Sequence, residues 1–200
     1  MPSLSAYKFQ QRVNSLIYLR AISVEPRIRP ITEHQKQIYL HSYLTGLVAA
    51  WDAYLKAVIK EYLSLTSNPL DVRYSAIYSL LNTYATTALG KFNTPNSENS
   101  RKILINATGY DPIGDWIWTA KGLTAIQTRE YLNEILKVRH SFAHGFTMPA
   151  YLWTQSSTGK VRLTATAVDK VCLFLSFLVT QTDQGLQQTM ITVHTINPSW

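Results

Sequence analysis

Leu40-His-Ser-Tyr-Leu-Thr-Gly-Leu-Val-Ala-Ala-Trp-Asp-Ala-Tyr-Leu-Lys-Ala-Val-Ile-Lys-Glu-Tyr62 reads as one helix with one buried face. Leu40, Leu44, Leu47, Val48, Trp51, Leu55, Val58, Ile59 and Tyr62 recur at steps of three and four. That period places them on one stripe of a helical cylinder. The pattern extends over about residues 32–64, which spans roughly 45 Å at the helical rise. A helix that long is expected to be the spine of a bundle, or to be shared with a partner.

Helical periodicity also dominates on either side of this spine. Residues 1–24 carry a loose stripe of Leu4, Phe9, Val13, Leu16, Ile17 and Leu19, broken by Pro26 and Pro30. Asn68 followed by Pro69 reads as a cap with proline at the first helical position. The helix it opens should cover about residues 70–89 and stop at Gly90. A polar loop is expected over residues 91–99, then a short helix over residues 100–106 and a turn over residues 109–114. Thr124 and Gln127 form a capping box, and the helix it opens should end near His144 with Gly145 in the left-handed position. Residues 151–155 and 161–166 are β-prone and predict a small hairpin. A last apolar helix opens at residues 166–169 and is expected to end near Gln184, with residues 191–200 as a strand-like or loose tail. The expected fold class is all-α: a single-domain bundle of five or six helices with a small hairpin insertion before the last long helix. Within it, an N-terminal arm covers about residues 1–31, the core about residues 32–186 and a tail about residues 187–200.

Composition narrows the function. Of 200 residues, 46% are apolar and 16% charged, enough apolar material for a core and too little charge for a disordered chain. The net charge of +7 favours phosphate-bearing partners, although it also serves ordinary solubility. A single cysteine, Cys172, excludes an intramolecular disulfide and a multi-cysteine zinc site. The most apolar run, residues 171–179, is nine residues long and contains Ser176, so it reads as a core helix, and no membrane partner is expected. The first residues lack a basic-then-apolar signal pattern, and a cytoplasmic location is the expectation. There is no glycine-rich phosphate loop, no His-Glu-x-x-His and no Gly-x-Ser-x-Gly, so no cofactor and no metal site are expected.

What stands out is Val138-Arg-His-Ser-Phe-Ala-His-Gly145. Arg139 falls inside the apolar stripe of Leu132, Ile135, Leu136, Phe142 and Ala143. A guanidinium aimed at a core or an interface needs a compensating partner. Asp52 lies beside the stripe of the long helix, and an Asp52–Arg139 pair is expected. His144 is five residues after Arg139, about 140° away around an ideal helix. Either the helix breaks between them, or a second copy supplies the missing half of a shared cleft. The bare Arg–His spacing also occurs at Arg29–His34 and Arg27–His34, across a proline-containing turn. The information therefore lies in the full context of helix end, alanine, histidine and glycine.

That context resembles the signature of the HEPN superfamily, in the RiboL-PSP branch with Arg-Asn-x-x-Ala-His-Gly. Residues 47–60 are similar to that branch's long helix, which often carries an acidic residue where Asp52 stands. The resemblance covers about residues 35–185. His140 stands where the family usually has Asn. The resemblance implies a metal-independent endoribonuclease acting as a homodimer, with Arg139 and His144 catalytic and His140 and Asp52 supporting. It further implies cleavage through the RNA 2′-OH, and a defence, stress or toxin–antitoxin setting with a cognate antitoxin or regulatory protein as partner. The alternative is a non-catalytic HEPN-like module that binds RNA or protein. Arg27, Arg29 and Lys137 are the candidate RNA contacts. The basic stretch Lys8, Arg12, Arg20, Arg27 and Arg29 reads equally as a track for an RNA backbone or as a solvated face. Trp116 and Trp118 are expected to pack rather than to stack on bases. Tyr43, Trp51, Tyr54 and Tyr62 are expected in the core, and His34, His41 and His194 outside any functional cluster.

Overall fold

The computed structural model describes the chain except for residues 26, 28–31, 68–71, 146, 157 and 199 and the side chains of residues 72–74. Among the described residues six α-helices follow one another: α1 (Leu4–Val24), α2 (Glu33–Thr66), α3 (Val72–Lys91), α4 (Ser97–Thr108), α5 (Ala125–His144) and α6 (Ala165–His194). The expected Asn68–Pro69 cap lies outside the described residues. Single turns of 3-10 helix at Pro112–Gly114, Thr119–Lys121 and Leu152–Thr154 sit in the described connections.

The spine helix is as the stripe predicts. Thr32 caps α2 through a capping box with Gln35, and Leu40, Leu44, Leu47, Trp51, Leu55, Val58 and Ile59 are all fully or almost fully buried. Tyr43, Trp51, Tyr54 and Tyr62 are buried, as expected. Helix α1 packs along α2 over the most extensive helix contact in the molecule. It runs antiparallel to α2 and buries Phe9 and Val13. Its N-terminus is held by two carboxylates. Asp183 of α6 accepts from the Ser3 amide at 2.7 Å and the Ser3 hydroxyl at 2.6 Å. Glu61 of α2 accepts from the amides of Leu4 at 3.1 Å and Ser5 at 3.0 Å. Anionic acceptors suit the amide groups that a helix start leaves unpaired. At the far end of α1, Arg20 makes a two-pronged pair with Asp169 of α6 at 3.1 and 2.8 Å.

Three boundaries differ from expectation, each for a local reason. Helix α4 begins at Ser97, not near residue 100, because the Asn96 side chain accepts from the Asn99 amide at 2.8 Å and caps it. Helix α6 runs through Gly185 to His194, so residues 191–194 are helical. Gly185 is a point of close approach: a Cβ there would stand 2.2 Å from the Tyr110 ring. The expected hairpin is reduced to one antiparallel bridge, Gln155 with Val161. Residues 152–154 wind into a turn instead, with the Thr154 hydroxyl donating at 2.9 Å to the Pro149 carbonyl. The Leu163 backbone is taken by the side chain of Gln37 on α2, amide and carbonyl both at 2.9 Å. Among the described residues there is no strand, and the fold is an all-α bundle.

Among the described residues α6 is the one helix long and apolar enough to cross a membrane by length and composition. Its buried side is core: Val168, Val171, Phe174, Leu175, Leu178 and Leu186 are fully buried within the bundle.

Candidate active site

Helix α5 carries the motif. Thr124 caps it through a capping box with Gln127, and Gly145 closes it at φ 68°, ψ 20°, the left-handed conformation glycine adopts without strain. Leu132, Ile135 and Val138 are fully buried and anchor α5 to the core. The helix is continuous from Ala125 to His144. The break that would have turned Arg139 and His144 toward one point is therefore absent, and the two remain five residues apart on one straight element.

Arg139 is half-buried, and its Nε is buried with no hydrogen-bond partner. The expected Asp52–Arg139 pair does not form. Asp52 instead takes Lys56, one turn along its own helix, at 2.7 Å through Oδ2. The local partner wins because an i,i+4 pair needs no tertiary alignment. Asp52 Oδ1 is left buried and unpartnered, as Arg139 Nε is. Both residues line one cavity of about 690 Å3, between α2, α5, the loop over residues 93–96 and the segment over residues 147–149. Lys137, His140, Ser141, Asn133 and Leu136 also line it. Arg139, Asp52, His140 and Lys137 are thus brought together. His144 is exposed and adjoins them through His140, whose ring centre lies 4.2 Å from its own.

The loop wall of the cavity is held from three sides. The buried Trp51 indole donates to the Pro95 carbonyl at 3.2 Å. The Asn99 side chain donates to the Thr94 carbonyl at 3.0 Å. Asn133 on α5 accepts from the Ser97 amide at 3.0 Å. Lys56 lies over the Phe92 ring, 5.7 Å from its centre.

Among the described residues, the N-terminal basic ones do not join this site. Arg20 is committed to Asp169. Arg27 is 93% exposed with Glu25 3.8 Å away, and Arg29 lies outside the described residues. Trp116 is buried and donates to the Thr182 hydroxyl at 3.1 Å, and Trp118 stacks on Phe177 with ring centres 5.5 Å apart. Both pack, as expected. His194 hydrogen-bonds the Tyr62 hydroxyl at 3.0 Å.

His41, expected outside any functional cluster, does not line the cavity but packs against the motif. It is buried on α2 and stacks face to face on Phe142 of the motif, with ring centres 4.5 Å apart and planes 7° from parallel. Burial pushes its imidazole down to about 4. Neither this contact nor the walls from residues 93–96 leave a local signal in the sequence, because a polar loop reads the same whether or not it borders a site.

A family model, RiboL-PSP-HEPN, matches residues 7–184. The chain belongs to the RiboL-PSP-HEPN family. HEPN domains are generally nuclease or RNA-related. No curated protein and no solved structure matches this HEPN chain. The matched span takes in all six helices in whole or in part, and the HEPN motif at the end of α5 borders the cavity described above.

Proposed function

We propose that this protein is a metal-independent endoribonuclease that acts as a homodimer, with the motif ends of two α5 helices facing one cleft. The observation that carries the reading is the uninterrupted helix through His144. Arg139 and His144 point about 140° apart on it, so one copy cannot readily aim both at one phosphate. A two-fold axis beside the motif supplies both groups twice. The exposed Phe142 and Ile38, on α5 and α2, give that face apolar surface for a partner copy.

In this reading one His144 takes the proton of the RNA 2′-OH as its oxygen attacks phosphorus. The 5′-oxygen leaves with a proton from water in the cleft, which the protonated His144 then replaces. Histidine suits both transfers near neutral pH. The Arg139 guanidinium stabilises the phosphate oxygens as negative charge grows on them. His140 and Asp52 position these two groups. The products are a 2′,3′-cyclic phosphate and a 5′-OH, and DNA, lacking the nucleophile, is left uncut. Lys137 at the cavity mouth contributes to holding the RNA backbone, as do Arg27 and Arg29 on the N-terminal connection. A defence, stress or toxin–antitoxin setting, with an antitoxin or regulatory protein as partner, follows from the family alone.

The test is incubation of the purified protein with a labelled structured RNA in EDTA, beside His144→Ala, Arg139→Ala and a matched DNA. Cyclic-phosphate products should form from RNA only, and each substitution should lower the rate at least about 10²-fold with the circular-dichroism spectrum unchanged. Sedimentation should show a dimer. The competing reading, a non-catalytic module that binds RNA or protein, rests on His140 in place of Asn. Retention of RNA without cleavage by a well-folded dimer would favour it.

A further inference from the structure

We infer that the cavity between α2, α5 and the 93–96 loop receives one unpaired nucleobase of the RNA strand, beside Arg139. The inference rests on the RNA reading above and adds what part of the substrate enters the protein. Its volume, about 690 Å3, lies in the range of sites for single small ligands and is ample for a nucleoside. Its walls include the aliphatic side chains of Val48, Leu136 and Pro95, which suit the faces of a planar ring. The polar equipment sits apart from them. Asp52 and the side-chain amides of Asn93, Asn96 and Asn133 line it, and such groups offer the acceptors and donors that the edge of a nucleobase pairs with.

The apolar walls of Val48, Pro95 and Leu136 argue for the base, and not the phosphate, as the occupant. Asp52 is met by Lys56 and Glu98 by Arg129, which leaves Lys137 and Arg139 on the lining to hold the phosphates of the strand beside that base. The loop is fixed beforehand by Trp51, Asn99 and Asn133, so little ordering is needed on binding. A base held in a duplex cannot enter, so single-stranded or looped RNA is the form accepted.

The experiment measures binding without catalysis. Each of the four nucleoside 5′-monophosphates is titrated into the intact protein by NMR, beside ribose 5-phosphate and inorganic phosphate. The inference expects amide shifts at Thr94, Asn133 and Lys137, and at least one nucleotide binding tenfold or more tighter than ribose 5-phosphate. Asp52→Asn should weaken that binding at least tenfold. Thr147→Trp, which fills the exposed mouth without touching the core, should do the same. Nucleotides that bind no better than ribose 5-phosphate, shifts that fall elsewhere, or no saturable binding at millimolar ligand would each overturn it. Those results leave the RNA-cleavage test untouched. Conversely, loss of cleavage products in that test would not remove base-dependent binding here, so the two readings fail separately.

Discussion

The buried imidazole of His41 faces the motif with its ring stacked on Phe142, and its Nδ1 has no hydrogen-bond partner. Its proton affinity is lowered to about 4 by burial, against 6.5 when free. Between those values the unfolded chain binds more protons at this residue than the folded one. Stability from this group is therefore complete above about pH 6.5 and is lost as the pH falls toward 4, by at most about 3 kcal/mol. Urea unfolding at a series of pH values should show that slope, and His41→Gln should flatten it relative to the parent. Because the ring packs on Phe142, Phe142→Ala should also shrink the shift and loosen the end of α5. Hydrogen exchange of the Phe142 to His144 amides reads that loosening directly.

At the scale of the helix, two glycines in similar settings predict opposite outcomes. Gly185 lies within α6, where an added Cβ would strike the Tyr110 ring. Gly185→Ala should destabilise by about 1–3 kcal/mol through overpacking. Gly90 lies in the last turn of α3 and has nothing within 4 Å of an added Cβ. Gly90→Ala should stabilise by up to about 1 kcal/mol. Chemical denaturation of the two variants checks both signs. The same pair explains what a reader of the sequence could and could not see. Signals confined to one element were legible: the three-and-four stripe of α2, the Thr124–Gln127 capping box and the Gly145 close. The end of α6 was not, because the room Gly185 gives Tyr110 depends on a residue 75 positions away (185 minus 110). The site was legible in part for the same reason. Arg139, His140 and His144 are named by one short stretch, and Asp52 by its place beside a stripe. His41 against Phe142 and the 93–96 wall come from tertiary packing, which no local window contains.

Across the whole molecule, the start of α1 is tied to the two longest helices at once. Asp183 takes both donors of Ser3 and also lies 3.2 Å from the Tyr54 hydroxyl, while Glu61 holds the next two amides. Asp183→Ala would strand these partners, and should cost about 2–3 kcal/mol in a thermal or urea transition with the secondary structure retained below it. Such a variant separates stability from chemistry, since the motif lies at another part of the bundle.

The unbroken run of α5 through His144 has a genetic counterpart. If each functional unit takes its arginine from one chain and its histidine from the other, two dead alleles should rescue each other. Arg139→Ala and His144→Ala proteins, each inactive alone, would form mixed dimers that keep one intact pair. Random reassortment of equal amounts makes half the dimers mixed and would restore about a quarter of the parental rate. Co-expression of the two alleles would then show in a cell as dominance of the active mixture over either inactive parent.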